Sequence, residues 1–492
     1  MHITPGYTAR CFAAATANAR LATAVILAVA LFSSGCIARE QPEGKPATGT
    51  ESERTADEKT GGCASRFLKF ALPLTLKAGK IRPGERVRIP EPAKGESYLD
   101  PVYGVCIVRL TDHGKEPPEG FARNYYSRIQ PFNANGTRVL VFDESGYWHL
   151  YDAKTFRHVK RLDLGGGSVE PHWHPSGPDL LYLLPNGGGL SMDILDVETG
   201  ERTQVADFTA LQSIAGYPDA NDIRDVWPRA ARIWTRWEGS PSRDGRYWAF
   251  QVETGDGEPL GLISFDLAEL RIIGTFDIRD VGRPDHVSMS PNGNHVVASW
   301  PEDAADCPWL RDTGTRDKPC GLMAFSPDFE SATALASRSP HSDMAIDADG
   351  REVIVISNYV SGNLEMIDLA TGEATRLWRI YIDGASTSLH ISGKAYRTPG
   401  WVLVSTYWTK DPDDADPWYE NKLMAVELKE DPRILNIANI VSKTRSYFSE
   451  PHASVNRDFT RIVFNANWGT GKDKDIDVYM AMLPEDAIPP AR

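Results

Sequence analysis

Three stretches of the chain place a histidine at the threshold of a short apolar run that closes in a turn: PDHVSMSPNG at 284–293, PHSDMAIDADG at 340–350 and SEPHASVNRDF at 449–459. Aligned on the hairpin glycine, His286 and His452 take the same position, and so do Glu170 and Glu238. His341 and His390 fall two residues earlier, which on a strand is the same face. Any one of these alone reads as a hydrogen-bonded structural residue. Four imidazoles in register with two carboxylates read differently, because neutral imidazole and carboxylate are the donors that Mn²⁺, Zn²⁺ or Fe²⁺ requires. A histidine held near neutral pH can also serve as a general base. His172 and His174 in EPHWHP share one side of a strand, but Pro175 and a hairpin follow at once, so a structural role is expected for them.

Such a column needs first strands that converge on one axis. The sequence repeats a unit of strand, xDG or PNG hairpin, apolar strand, variable loop, strand, D-x-x-T-G turn, strand. Seven units start near YYSRIQPFNANG, VEPHWHPSG, RWEGSPSRDG, DHVSMSPNG, HSDMAIDADG, LHISGKAYRTPG and EPHASVNRDF. No helix-period stretch longer than about three turns interrupts them. The expected fold class is all-β, a seven-bladed β-propeller over 95–485 with four strands per blade. The last unit has room for three strands, and YGVCIVRLTD at 103–112 is expected to supply the fourth and close the ring.

Ahead of the propeller, Arg10 and Arg20 precede the apolar run LATAVILAVALF, and Ser33, Ser34 and Gly35 lead into Cys36. Residues 1–35 read as a lipoprotein signal peptide, since the run is too short for a stable span. The SSGC ending resembles a bacterial lipobox, with Ser33 where leucine is usual, so Cys36 is the expected lipidation site. Ile37 in place of aspartate favours the outer membrane, by resemblance to other lipoproteins. Residues 36–62 are polar, charged and aperiodic, a disordered tether, and 63–94 form an N-terminal extension. The expected location is lipid-anchored at the outer membrane or in the periplasm of a Gram-negative cell. With Cys11 and Cys36 discounted, four cysteines remain, and an even number in an exported chain suggests disulfides. Cys307 and Cys320 bracket one loop, which leaves Cys63 to pin the N-terminal segment to Cys106; zinc is the weaker reading because there is no CxxC pair. A formal charge of −14 argues against nucleic acid and against an anionic membrane surface as partners, so membrane contact is expected only through the lipid. An anionic substrate stays open, since clustered arginines can reverse the field in one cleft. A monomer is expected.

RNYYSRIQPFNANGTRVLVF at 123–142 resembles the opening blade of oligogalacturonate lyases, and GVCIVRLTD resembles their closing strand. EPHASVNRDFTRIVFNANWGTGKDKDIDVYMAMLP is similar to their final blade, where His-Pro-His-Pro-Ser-Phe precedes the hairpin. The resemblance implies a seven-bladed propeller that binds Mn²⁺ at the channel mouth. On that likeness His452 matches the second histidine of the final pair, Glu450 replaces the first, and His390 matches the metal histidine of the preceding blade. His390, Glu450 and His452 are thus the implied metal set. The family's catalytic arginine falls on Ser290, so the base would be another residue, His286 or His341, and the substrate another uronate than oligogalacturonate.

The implied activity is metal-assisted β-elimination on an acidic oligo- or polysaccharide. That chemistry needs the uronate carboxylate neutralised, a base for the α-proton and an acid for the leaving oxygen. Arg123 would help with the first, and Tyr125 or Tyr126 with the last; Glu170 and Glu238 are expected to line the substrate site with them. The rival class is a non-catalytic propeller, similar to TolB-like repeats, that holds a protein or glycan partner in the periplasm. Fold does not decide between them.

Overall fold

The repeat is built on its turns. In the D-x-x-T-G turns, Asp152 Oδ1 accepts the backbone N–H of Lys154 (2.9 Å) and Thr155 (2.7 Å). Asp196 and Asp368 do the same for the residues two and three beyond them. The next residue must then enter the left-handed region, which glycine does without strain. Gly200 and Gly372 do so at φ 79° and 73°, and Phe156 takes the same conformation at φ 59° where the glycine is lacking, as does Leu270 at φ 47° after the like turn at Asp266.

The structure is a computed structural model, and it describes residues 62–69, 74–81, 89–116, 120–164, 169–185, 188–301, 314–381, 388–407 and 418–492. These lie in one compact unit. Seven antiparallel-based sheets form the blades of a β-propeller. In chain order, the first strands of blades 1 to 6 are Ala122–Arg123, Glu170–Trp173, Arg232–Trp234, His286–Met289, Ser342–Ile346 and Ser388–Ser392. Blade 7 starts at Ser454–Val455. Its second and third strands are Arg461–Ala466 and Asp477–Met482, and its fourth is Cys106–Arg109, from the far end of the chain, with Cys106 opposite Met482 and Arg109 opposite Tyr479. The seam carries a buried ionic knot: Arg109 Nη2 donates to Asp477 Oδ2 at 2.6 Å, and Thr111 Oγ1 donates to Asp477 Oδ1 at 2.7 Å.

The segment ahead of the propeller is built into it. Ser97–Leu99 adds a fifth strand to blade 7, and Lys77–Ala78 adds one to blade 6 against Ile434–Asn439. A disulfide joins Cys63, on the helix Cys63–Lys69, to Cys106. Cys320 is also disulfide-bonded. Cys307, the leader with Cys36, and all of the tether but its last residue lie outside the described residues.

The apolar cores lie between the blades. Val287, Met289, Ala298 and Phe325 of blade 4 pack with Leu262 and Ala249 of blade 3, for example, all at 1% exposure or less. Each blade therefore spends both faces on its neighbours, and the polar residues at the starts of the first strands are left for the channel.

Candidate functional site

Blade 7 delivers its histidine on a strained backbone. His452 has φ 40°, a left-handed conformation that costs a non-glycine residue about 1–3 kcal/mol. The kink is held from both sides of the seam: Asn124 of blade 1 donates Nδ2–H to the His452 carbonyl (2.5 Å) and to Ser454 Oγ (2.8 Å). Asn465 Oδ1 in turn accepts the Asn124 N–H at 2.7 Å. The closing of the ring thus places His452.

Around it stand His390 and Glu450. His390 Nε2 lies 2.7 Å from Glu450 Oε2, and the two imidazole centroids are 4.4 Å apart. One ligand atom from each of His390, Glu450 and His452 falls within 4.8 Å of the others. Among the described residues, both nitrogens of His452 and Nδ1 of His390 are buried without a hydrogen bond, His452 Nε2 lying 3.4 Å from Glu450 Oε2. Orphaned buried nitrogens cost free energy unless something binds them, and this donor set fits a divalent transition metal. Burial holds both imidazoles well below their ordinary pKa, His452 at about 3, so they stay neutral, the form that ligates. The His390 ring is stacked between His341 (4.6 Å) and Tyr407 (5.3 Å), and Tyr126 packs against both His390 and His452. His341 Nδ1 donates to the Leu389 carbonyl at 2.8 Å, which leaves the lone pair on Nε2.

A second cluster of the same residue types, Glu238, Asp285 and His286, stands across the channel, and it already holds a cation. Arg128 Nη1 lies 2.9 Å from Glu238 Oε2 and 2.9 Å from the His286 ring nitrogens, while its Nε donates to the Ser342 carbonyl at 2.6 Å. Burial and the adjacent guanidinium bring His286 down to about 4. Expected as a base, His286 is a poor one, its ring engaged by Arg128. Burial pushes Glu238 up to about 7, against the pull of Arg128 and with the help of Asp285, although its side chain keeps 23% exposure. Tyr126 links the clusters, with the Arg128 guanidinium 5.1 Å from its ring.

Glu170 is not open to a ligand. Its Oε2 accepts from the Thr235 N–H and hydroxyl, both at 2.9 Å, and its Oε1 from the Trp237 N–H at 2.5 Å. Those bonds hold Arg236 and Trp237 in consecutive left-handed conformations, φ 62° and 67°, and so aim the following Glu238. Glu170 is a positioning residue, where a substrate contact was expected. Arg123, 7% exposed, sits in an aromatic box: its guanidinium is 5.2–5.8 Å from the rings of Tyr125, Phe142, Tyr447 and Phe448. Among the described residues it makes no ion pair; Nη1 donates to the Tyr125 carbonyl at 2.7 Å. Tyr125 packs on Phe142 and Trp148, and burial pushes the phenols of Tyr125 and Tyr126 up.

Three charged residues, Asp343, Lys394 and Arg128, were not anticipated. Asp343 lies seven positions before Gly350, the spacing of His286 from Gly293, so the alignment that found the histidines could have found it. It accepts from Lys394 Nζ at 2.9 Å, with both side chains buried. Arg128 lies in an irregular stretch of blade 1 between strands and left no periodic signal. Ser290 ties its hairpin, its Oγ accepting the His295 N–H at 2.9 Å. His174 Nδ1 likewise accepts the Gly177 N–H at 2.8 Å, the structural role expected of it.

No family model matches the chain. No curated protein matches it either. Among solved structures it is similar to an oligogalacturonate lyase in complex with manganese, at 16% identity and TM-score 0.51 over 80% of this chain and 96% of that one. It is similar also to the oligogalacturonate lyase of Vibrio parahaemolyticus, at 13% identity and TM-score 0.51 over 80% of this chain and 97% of that one. The chain has, at a distance, the seven-bladed fold of these lyases.

Proposed function

We propose that this protein is a polysaccharide lyase that cleaves a uronate-containing oligo- or polysaccharide by metal-assisted β-elimination, with Mn²⁺ the favoured ion. The observation that carries the reading is the cluster His390, Glu450 and His452, in which three imidazole nitrogens have no hydrogen bond among the described residues, at a channel that also holds two buried arginines. One similar structure is a manganese complex of an oligogalacturonate lyase, which supports the choice of ion and of substrate class. When bound, a divalent ion there supplies Lewis acidity toward a carboxylate.

The chain's own residues take the remaining roles. Arg123, without an anionic partner among the described residues, binds the uronate carboxylate and spreads its charge, so that the adjacent C–H becomes acidic. His341 accepts that proton at Nε2, its tautomer set by the Leu389 carbonyl. The electron pair forms the C4–C5 double bond as the C4–O bond breaks. Glu238, close to neutrality, gives its proton to the departing oxygen. Arg128 holds Glu238 in place. The lipid anchor on Cys36 and the tether would keep the enzyme at the outer membrane, where acidic polysaccharide fragments enter the cell.

The test is an ultraviolet assay for unsaturated uronate products across a panel of acidic polysaccharides, run with and without added Mn²⁺ after chelation. Products that appear with metal and vanish on chelation are expected. Stoichiometric metal with no product from any member would sink the lyase and leave a metal-binding propeller; neither metal nor product would favour the binding protein.

A further inference from the structure

The hairpins that follow the first strands lie toward the other end of the channel, and there a cleft is lined by His172, Ser240, Arg243, Lys394, Tyr396 and Arg457. Its charges do not balance. Lys394 is matched by buried Asp343, but neither Arg243 nor Arg457 makes an ion pair among the described residues, and the Arg397 N–H bonds the Arg457 carbonyl close by. The nearby acids are spent on their own turns. Asp244 Oδ1 accepts from Ser242 Oγ (2.5 Å) and the Arg246 N–H (3.1 Å); Asp458 Oδ1 accepts from the Thr460 hydroxyl (2.5 Å) and N–H (3.1 Å). In a chain of formal charge −14, this mouth gathers uncompensated arginines.

The cleft also holds unanswered donors. Arg457 Nη1 is anchored to the Arg243 carbonyl at 3.3 Å, while its Nε is buried without a partner. His172 is 7% exposed, its ring set edge-on to Trp248 at 5.3 Å, and its Nε2 has no partner. Burial and Lys394 keep that imidazole neutral, so one nitrogen carries a hydrogen to donate. Guanidinium and imidazole N–H groups around an electropositive hollow are the recognition chemistry of carboxylates and phosphates.

We infer that this cleft is a binding site for a small oxyanion, a carboxylate or a phosphate, held by Arg457, Arg243 and His172 at the mouth opposite the metal cluster. The site stands independently of the lyase reading. Lys394 and Asp343 separate it from Arg128, whose Nε bonds the Ser342 carbonyl next to Asp343, so the two mouths are distinct sites along one axis.

Isothermal titration of the full chain with inorganic phosphate and, separately, with galacturonate, at an ionic strength fixed with sodium chloride, tests this. At least one ligand should bind the wild type, and R243Q/R457Q should weaken it by about tenfold or more, the usual loss for hydrogen bonds between charged groups. H390A/H452A should bind it as the wild type does, which separates this site from a substrate site at the other mouth. Phosphate alone would identify free inorganic oxyanion as the ligand; galacturonate alone would identify the end of an acidic sugar. Absence of binding by both, unchanged affinity in R243Q/R457Q, or loss in H390A/H452A instead would overturn the proposal. Should the double variant fail to fold, Arg243→Gln, on an exposed side chain, serves in its place, with an expected loss of about threefold.

Discussion

Two clusters of ligand-type residues face each other across the channel: two histidines and a glutamate in one, a histidine, a glutamate and an aspartate in the other. In the second, Arg128 supplies the cation from within the chain, and Glu238 and His286 are satisfied by it. In the first, no Lys or Arg pairs with Glu450 among the described residues; His452 Nε2 lies 3.4 Å from Glu450 Oε2, and Nδ1 of both imidazoles has no hydrogen bond. The difference is made by one arginine. A set of ligand-type residues is a metal site only where the fold has not already filled it, and that is settled by what the neighbouring segments bring to the same place.

The largest effect expected from breaking this contrast is at the open cluster. H390A/H452A should reduce bound divalent ion from stoichiometric to background by elemental analysis, and abolish lyase activity. The far-ultraviolet circular dichroism spectrum should be unchanged, because these rings lie at the channel while the cores lie between blades. Retention of the ion would place it elsewhere.

Removal of the internal cation should come next. Arg128→Met leaves Glu238, Asp285 and His286 facing one another with nothing between them, and loss of one partner from a buried charged network costs about 3 kcal/mol. The denaturant midpoint should fall accordingly, and the vacated cluster should take up additional divalent ion, measured by equilibrium dialysis. A variant as stable as the wild type would show that Arg128 is incidental to the second cluster.

The smallest effect is a pH dependence. The pKa of Glu238 is raised from the ordinary 4.5 to about 7 in the folded state, so between those values the folded protein binds more protons than the unfolded chain. Its contribution to stability is therefore present at low pH and declines as pH rises through that window. Glu238→Gln, which cannot ionise, should remove that decline, so the melting temperature of the variant should gain on the wild type from pH 4.5 to 7. Arg128, Arg123 and Arg236 oppose the shift and Asp285 reinforces it. As a proton donor, Glu238 should also make kcat fall above about pH 7, so the stability decline should level off near the pH at which kcat is half lost. Parallel melting curves for the two proteins would remove Glu238 from both roles.

The histidine column was legible because it is periodic: a strand fixes which residues share a face and a hairpin fixes the register, so His286 and His452, each seven positions before the hairpin's left-handed residue, could be placed on one axis by counting, while His390, ten before Gly400, rested on the family resemblance. Asp343 was within reach of the same count. Arg128 and Lys394 were not, since each comes from a stretch without periodicity, and their positions depend on where a loop is carried by strands far away in sequence. Glu170 shows the opposite failure: its place on the axis could be read, but its carboxylate is consumed by the turn at Thr235–Trp237, sixty-five and sixty-seven residues on.

By itself, the sequence determined the repeat, the closing strand at Cys106–Arg109, and the residues that begin each first strand. These follow from local turn chemistry and from the alternation of faces, which act within a few residues. Tertiary structure alone decided which of those residues have partners. Whether a buried nitrogen is answered depends on groups brought to it from other blades, such as Arg128 to His286 or Asn124 to the His452 carbonyl, and no local rule carries that information.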